Sequence, residues 1–155
     1  MREGLDVIRD GLEKVRDSVA YWMATPKRSE TFEKICNELN IPCSKKLALD
    51  CKTRWNSTYL MLQSVLPFKD AFARLRQHDL QYKSLPSEKY WLLASEICTR
   101  LELFYEVKEL FSGTKYPTVN LFFPKICEIK VSMKEWESSN HDEVSMMAKK
   151  YANQV

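Results

Sequence analysis

Glycine is scarce in this sequence, with three residues in a chain of 155. So few glycines cannot supply the many tight turns of a β-sandwich or barrel. Long apolar runs are missing as well, because no segment approaches the roughly 20 residues that a membrane-spanning helix needs. The N-terminal Met-Arg-Glu-Gly is charged and lacks the apolar region of a signal peptide. We therefore expect a soluble protein with no membrane partner.

Histidine is rare too, and its placement argues against histidine-dependent catalysis. His78 lies in a polar stretch and His141 follows Ser-Ser-Asn, so we expect both on the surface rather than beside a nucleophile. The sequence also contains no glycine-rich phosphate loop. These absences exclude the best-known hydrolase and nucleotide-binding motifs, and they leave no candidate catalytic residue.

The cysteines are odd in number, and none of them forms a CxxC pair. They are Cys36, Cys43, Cys51, Cys98 and Cys127. Zinc sites need clustered cysteine or histidine ligands, and disulfides need an oxidising compartment. We expect reduced thiols that act as small apolar residues inside the cell, with no metal and no cofactor.

What the chain does contain suits one helical domain. Hydrophobic residues make up 45% and charged residues 29% of the chain, enough to fill a core and keep a charged surface. The net charge of +3 by itself indicates no nucleic-acid partner. Its distribution is uneven: residues 1–20 carry four basic and five acidic groups, and residues 27–54 carry seven basic and four acidic groups. The central stretch is therefore the basic part.

Apolar residues at alternating steps of three and four predict a first amphipathic helix. Its apolar stripe consists of Leu5, Ile8, Leu12, Val15, Val19 and Trp22. Such a stripe packs on the helix's own domain, or it pairs with a partner helix or a second copy as in a short coiled coil. The first interpretation is favoured, and both stay open here. Gly4 and Gly11 lower the intrinsic stability of this helix by about 1 kcal/mol each.

A second helix and a short strand follow. Pro26 ends the first helix, and Ser29 is expected to cap the second by accepting a backbone N–H bond. The predicted inward side of the second helix comprises Phe32, Ile35, Cys36 and Leu39. Pro42 ends this helix, because proline disfavours helical geometry in the residue before it. Lys46-Leu-Ala-Leu-Asp50 is short and bounded by polar residues, which makes it the best strand candidate.

The rest of the sequence predicts longer helices. They run from about Arg54 to Gln77, from Ser87 to Ser112-Gly113, from Thr118 to Trp136, and from Asp142 to the end. Thr53 is expected to cap the first of these and Ser87 the second. Residues 78–86 are predicted to form a loop. The expected fold class is mainly α, with six or seven helices and at most one or two short strands.

The segment Lys52-Thr-Arg-Trp-Asn-Ser-Thr-Tyr59 concentrates groups that suit nucleic acid around a helix start. Cations neutralise phosphate, and hydroxyls and the first amides of a helix bind phosphate oxygens. An indole stacks on an unpaired base. The candidate DNA-binding residues are Lys52, Arg54, Trp55, Asn56 and Ser57. From the residues alone a structural interpretation is favoured, in which Trp55 belongs to the core with Tyr59 and Leu62, and Arg54 pairs with a nearby acid.

Asp50 differs from the other acidic residues because it ends the predicted strand. Acidic residues at strand ends hold Mg²⁺ in nucleases, but such sites need several carboxylates. Asp50 has no evident partner of this kind in the sequence. We therefore favour a structural role, such as capping the next helix.

Three motifs also carry a family resemblance. They are Leu49-Asp-Cys-Lys-Thr-Arg-Trp-Asn-Ser-Thr-Tyr-Leu-Met-Leu62, the pair Asp10-Gly-Leu12 and Arg16-Asp-Ser-Val19, and Ser112-Gly-Thr-Lys-Tyr-Pro-Thr-Val-Asn-Leu-Phe-Phe123. In order and spacing, these motifs resemble hAT-superfamily transposases, in particular the plant BED zinc-finger, RICESLEEPER/DAYSLEEPER-like group. The three motifs span essentially the whole chain.

The resemblance implies a helical insertion region in an interrupted RNase H-like transposase core. Residues 1–50 would be the tail part of that core, and residues 51–155 would begin the insertion. Arg54 and Trp55 match the family's Arg-Trp motif, whose tryptophan is associated with stacking on a flipped base. A nuclear location follows from the same resemblance.

The resemblance also places the catalytic carboxylate triad, the BED zinc finger and the dimerisation region outside this chain. The expected function is therefore a DNA-binding fragment of an hAT-like transposase that is not itself an enzyme. The alternative is a helical protein–protein interaction module derived from a transposase, in which the Leu5–Trp22 stripe binds a protein partner or a second copy.

Overall fold

The computed structural model describes residues 9–42, 46–51, 54–113 and 119–137. The helices are α1 (Arg9–Met23), α2 (Pro26–Glu38), α3 (Trp55–Val65), a 3₁₀ turn (Leu66–Phe68), α4 (Lys69–His78), α5 (Glu88–Gly113) and α6 (Val119–Glu137). No strand occurs within these ranges. The mainly α fold class is confirmed, and the predicted terminal helix from Asp142 lies outside the described residues.

The chain forms two compact units, which we describe separately. One unit comprises residues 9–96, and the other comprises residues 1–8 and 97–155. Residues on both sides of the predicted boundary at 50 and 51 therefore lie in the unit of residues 9–96. The assignment of residues 1–50 and 51–155 to different parts of a transposase core stays a prediction.

The apolar stripe of the first helix is buried inside its own unit. Its described members, Leu12, Val15, Val19 and Trp22, are each at most 2% exposed. Leu5 and Ile8 lie outside the described residues. The prediction that this stripe packs on its own domain is confirmed for these four residues. The four described side chains are covered within their own unit and offer no face to a partner helix, whereas pairing through Leu5 and Ile8 stays a prediction.

Gly11 sits where α1 approaches the first turns of α5. A Cβ at this position would lie 2.9 Å from Cδ2 of Leu93 and 3.3 Å from Cδ1 of Tyr90. Glycine lowers the helix propensity of α1, and the close approach explains why a residue without a side chain fits there.

The start of α2 differs from the prediction. Thr25, with an extended backbone, is the N-cap, and its hydroxyl accepts a hydrogen bond from the Arg28 N–H at 3.3 Å. Pro26 follows at the first helical position. A backbone N–H there has no partner within the helix, so proline costs no helical hydrogen bond. Ser29 therefore lies inside the helix instead of capping it, and its hydroxyl donates to the Trp22 carbonyl at 3.3 Å.

The end of α2 is set by Asn40 rather than by Pro42. Asn40 has a φ of 54°, in the left-handed region that asparagine tolerates. Its N–H donates to the Asn37 carbonyl at 3.1 Å, and the Ile41 N–H donates to the Cys36 carbonyl at 2.9 Å. These two bonds form a Schellman motif. Leu39 is 39% exposed at this end, so its predicted inward position is wrong.

Aromatic rings fill the core between α2, the 3₁₀ turn, α4 and the start of α5. The Phe32 ring lies 5.3 Å from Phe68 and 5.4 Å from Phe72, and Phe72 lies 5.7 Å from Trp91. These separations are typical of edge-to-face and offset aromatic pairs. At Pro67 the 3₁₀ turn divides the predicted helix from Arg54 to Gln77 into α3 and α4. The core fixes α4 and, through the turn, the C-terminal end of α3.

The predicted strand at Lys46–Asp50 is wrong. Residues 46–51 form an irregular connection, and no described segment pairs with them. The Ala48 N–H is met by the Ser64 hydroxyl at 3.4 Å, and the Cys51 N–H by the Ser57 hydroxyl at 2.9 Å. Side chains of α3 thus replace the backbone partners that a strand requires.

The second unit contains most of α5 and all of α6. Burial and the nearby Glu102 raise the pKa of the Cys98 thiol to about 11, which keeps it protonated and unreactive. Phe123 and Val131 of α6 are more than half exposed. Within the described ranges, no helix combines the length and apolar character needed to cross a membrane.

Candidate nucleic-acid interface

The predicted DNA-binding segment lies at the start of α3, immediately after a tight turn. The Arg54 N–H donates to the Cys51 carbonyl at 2.8 Å, which closes the turn. Arg54 is the N-cap residue, with φ −127° and ψ 109°, and no side chain caps the helix there. The Arg54 carbonyl accepts from the Ser57 N–H at 3.1 Å and the Thr58 N–H at 3.3 Å. Thr53, the predicted cap, lies outside the described residues, as does Lys52.

Ser57 holds this turn through its hydroxyl. The Ser57 Oγ accepts from the Cys51 N–H at 2.9 Å and lies within donating distance of the Cys51 carbonyl at 3.0 Å and the Arg54 carbonyl at 2.8 Å. One hydroxyl thus connects both ends of the turn. Its single proton is used within the turn, because a hydroxyl has one donor.

The Asp50 carboxylate is buried directly before the turn and is bound on both oxygens. Arg16 Nε lies 2.7 Å from Oδ1 and 2.8 Å from Oδ2, and a terminal Arg16 nitrogen lies 2.7 Å from Oδ2. The Thr58 hydroxyl donates to the same Oδ2 at 2.9 Å. The side chain of Asp50 is 1% exposed and that of Arg16 is 12% exposed. We call Arg16, Asp50 and Thr58 the ionic anchor.

The ionic anchor settles the role of Asp50 as structural, but through a different contact from the one expected. The carboxylate caps no helix and instead pairs with a cation 34 residues away. Sequence reasoning missed Arg16, although a signal was present. Arg16 lies one turn after the buried Leu12, so it borders the apolar stripe instead of lying opposite it.

The candidate contact residues differ in exposure. Arg54 is exposed, whereas Trp55, Asn56 and Ser57 are half-buried. Among the residues that the structure describes, no carboxylate pairs with the Arg54 guanidinium, so the interpretation that it forms a salt bridge with a nearby acid is wrong. Trp55 lies at the rim of the core, while Tyr59 and Leu62, on the same side of α3, are fully buried.

A second polar cluster ties the loop after α4 to α1. The Tyr21 hydroxyl donates to Asp79 Oδ2 at 2.6 Å, and the Gln81 N–H donates to Oδ1 at 2.9 Å. The Arg28 guanidinium lies 3.9 Å from the centre of the Tyr21 ring. The hydrogen bond from Tyr21 lowers the pKa of Asp79, and the same bond raises the pKa of Tyr21. His78, at the end of α4, is exposed as predicted.

Two buried aromatic residues, Trp22 and Tyr82, lie beside Tyr21 of this second cluster. The Tyr82 ring lies 5.3 Å from Tyr21 and 5.5 Å from Trp22. Tyr82 is 0% exposed, and its burial raises the pKa of its hydroxyl to about 12. We call Tyr21, Trp22, Asp79 and Tyr82 the aromatic anchor.

The described side chains form no cluster of three or more His, Cys, Asp or Glu residues that could hold a metal ion. Asp50 is the acid nearest to the candidate segment, and Arg16 takes up both of its oxygens. The described groups at the start of the segment are thus an exposed cation, Arg54, and a half-buried indole, Trp55.

Comparison with known proteins supports the family resemblance. Residues 1–100 match the model of the ZBED1 RNase-like helical domain. A Zea mays protein named as an AC transposase is 37% identical over 137 residues, which are 87% of this chain and 17% of that protein. The zinc finger BED domain-containing protein RICESLEEPER 2 of Oryza sativa subsp. japonica is 36% identical over 119 residues, 77% of this chain and 16% of that protein.

A third relative is the zinc finger BED domain-containing protein DAYSLEEPER of Arabidopsis thaliana, which is 33% identical over 97 residues, 63% of this chain and 14% of that protein. The chain thus spans between 14% and 17% of the length of these three relatives. No solved structure matches it. The helical fold and the match over residues 1–100 show that the chain belongs to the family of the ZBED1 RNase-like helical domain, among relatives of the hAT transposase and plant BED zinc-finger type.

Proposed function

We propose that this chain is a DNA-binding part of an hAT-like transposase and carries no catalysis of its own. The observation that supports this most directly is the division of roles between two arginines. Arg16 neutralises the buried Asp50, and the exposed Arg54 pairs with no carboxylate among the described residues. Arg54 is thus available to a phosphate group.

The charges around the segment favour an anionic partner. Between residues 39 and 69 the sequence contains a single acid, Asp50, whose charge is matched by Arg16. The basic residues of this stretch are Lys45, Lys46, Lys52, Arg54 and Lys69. A local excess of positive charge attracts phosphate and speeds its encounter with the protein.

The candidate contact residues have different proposed roles. We assign phosphate contacts to Lys52 and Arg54, a polar contact to Asn56, and stacking on an unpaired base to Trp55. Ser57 serves the site by holding the turn, because its proton is already used there. The half-buried position of Trp55 fits an indole that packs on the protein with one part and meets a base with another.

The absence of catalysis is part of the same proposal. Strand transfer uses metal ions held by several carboxylates. The Arg16 guanidinium occupies the positions around Asp50 that a metal ion would take. In line with the family resemblance, we infer that the catalytic acids lie elsewhere in a longer protein, with residues 1–50 at the end of its RNase H-like core and residues 51–155 in its insertion. A DNA-binding role in such a protein implies a nuclear location.

The experiment is a binding measurement on the 155-residue chain with a labelled DNA hairpin that carries unpaired bases. Trp55→Phe keeps an aromatic ring and should bind close to the wild-type affinity. Trp55→Leu keeps an apolar side chain but cannot stack, and we expect a loss of roughly 1–3 kcal/mol in binding free energy. Equal affinities for Trp55→Leu and Trp55→Phe, with both variants folded, would remove the stacking role.

A further inference from the structure

We propose that Arg16 is a positioning residue for DNA binding, which acts through Asp50 on Arg54 and Trp55 without touching DNA. This inference rests on the proposed DNA-binding function and names what controls that site. Its basis is the ionic anchor, which joins α1 to the segment directly before the candidate contact residues.

The support that Arg16 offers is rigid. Val15 and Val19, on either side of it along α1, are 0% exposed, so the helix is fixed in the core of its unit. Three Arg16–Asp50 contacts of 2.7 to 2.8 Å form a fork on one carboxylate. Bidentate pairs of this kind fix orientation as well as distance. Asp50 is therefore held at a defined point of α1.

Asp50 lies in a segment that forms neither a helix nor a strand. Within residues 46–51, the Ala48 and Cys51 N–H groups are bound by the hydroxyls of Ser64 and Ser57. Asp50 also accepts the Thr58 hydroxyl, so one carboxylate links α1 to the first turn of α3. From Asp50, the turn of Cys51 and Arg54 leads directly to the exposed guanidinium. The orientation of the Arg54 and Trp55 side chains at the protein surface thus depends on the ionic anchor.

The ionic anchor also controls charge. If Arg16 did not match Asp50, a carboxylate four residues before Arg54 would be left to pair with Arg54 or to repel phosphate. Arg16 itself is a poor phosphate ligand, because its side chain is 12% exposed and its fork is occupied. Both effects predict that a change at Arg16 lowers DNA affinity by weakening the contact of Arg54, although Arg16 itself binds no phosphate.

The test measures affinity for the labelled DNA hairpin across a salt series, with Arg16→Lys as the main variant. Lysine keeps the charge but cannot form the fork. We expect about tenfold weaker binding and a shallower slope of log affinity against log salt, because Arg54 no longer holds its phosphate contact. Lys14→Gln, an exposed cation on the same helix that does not touch Asp50, is the control and should change affinity less.

A second variant series guards against misfolding. Thr58→Val removes the hydroxyl from Asp50 without changing charge, and Thr58→Ser restores it. We expect weaker DNA binding for Thr58→Val and recovery for Thr58→Ser, with circular dichroism showing folded protein in each case. In addition, Arg16→Lys should have little further effect once Arg54→Gln is present, because both act on the same contact.

The outcomes separate the inference from the proposed function. If folded Arg16→Lys and Thr58→Val bind like wild type while Arg54→Gln binds more weakly, positioning by Arg16 is wrong and DNA binding stands. If Arg16→Lys weakens binding as much in the Arg54→Gln background as in wild type, Arg16 acts independently of Arg54 and the inference is also overturned. If Arg54→Gln and Trp55→Leu both bind like wild type, the proposed function itself fails.

Discussion

The ionic anchor and the aromatic anchor both attach a connecting segment to α1, and each centres on an aspartate. Asp50 precedes α3 and is met by Arg16, whereas Asp79 follows α4 and is met by Tyr21. The Asp50 side chain is 1% exposed and paired with a full charge. Asp79 stays in contact with solvent and receives neutral donors, and the burial in that cluster belongs to the aromatic rings of Trp22 and Tyr82.

The difference follows from the cost of burying charge. A carboxylate taken out of water needs an opposite charge and further hydrogen bonds, and Arg16 and Thr58 supply them. A carboxylate left at the surface needs neither, so hydrogen bonds from Tyr21 and Gln81 suffice. Removing a partner from the ionic anchor should therefore lower the free energy of unfolding strongly, and removing one from the aromatic anchor should lower it less. Five changes test this contrast, from the largest expected effect to the smallest.

Arg16→Ala should be the most damaging change. It leaves the buried Asp50 carboxylate without a counter-charge, and we expect a loss of about 3–5 kcal/mol in the free energy of unfolding, measured by urea denaturation. Lys14→Ala on the same helix is the matched control, with an expected change within about 0.5 kcal/mol. A loss at Arg16 as small as that of the control would show that the carboxylate is not buried as described.

Replacing both members of the pair by apolar residues sharpens the same point. Arg16→Met combined with Asp50→Leu removes the buried charges together, so it should be less destabilising than Arg16→Ala alone. Urea denaturation of the single and double variants gives the comparison. A double variant that is less stable than either single variant would contradict this account of the anchor.

At alkaline pH the aromatic anchor should weaken. The pKa of Tyr82 is raised to about 12 by burial, so its contribution is fully present below the ordinary tyrosine pKa of about 10 and is lost as pH rises through about 12. The loss amounts to roughly 3 kcal/mol. Tyr82→Phe cannot ionise and should lack this part of the alkaline loss. Parallel curves of unfolding free energy against pH for the two proteins would contradict it.

Tyr21→Phe should have a smaller effect than Arg16→Ala, because Asp79 remains in contact with water. The pKa of Asp79 is lowered mainly by the Tyr21 hydrogen bond, so this contribution is present above the ordinary aspartate pKa of about 4 and is lost as pH falls through the folded-state value. The stability difference between wild type and Tyr21→Phe should shrink on acidification. Thermal melts at neutral and acid pH measure it, and a constant difference would go against the prediction.

Arg54→Ala should have the smallest effect on stability. Its side chain is exposed and has no carboxylate partner among the described residues, so we expect a change within about 0.5 kcal/mol in urea denaturation. A large loss would mean that Arg54 supports the fold, which would weaken its assignment as a phosphate ligand.

The sequence predicted the helices well because their information is local and periodic. The buried stripe of α1 and the length of α5 follow from apolar spacing and from the capping and glycine signals at the ends. The strand at Lys46–Asp50 failed because a strand depends on a partner that spacing within five residues cannot show. The end of α2 was placed correctly for the wrong reason, since Asn40 supplies the left-handed residue before Pro42 is reached.

The sequence identified the candidate residues but not the contacts that support them. The residue types of Lys52 to Ser57 favour nucleic acid, which stays a prediction, and no described carboxylate pairs with Arg54. The pairing of Arg16 with Asp50 joins residues that are 34 positions apart. It depends on the tertiary packing of α1, which the local pattern of a single sequence does not show. Lys52 and Thr53 lie outside the described residues, so their roles stay predictions.

The most direct measurement of the central claim is the affinity of wild type and Arg54→Gln for the DNA hairpin over a series of salt concentrations. For wild type we predict that log affinity falls linearly with log salt. For Arg54→Gln we predict weaker binding and a slope that is shallower by roughly 0.7 to 0.9, as for the loss of one phosphate contact. Equal affinity and equal slope for the two proteins would contradict the assignment of this surface to DNA.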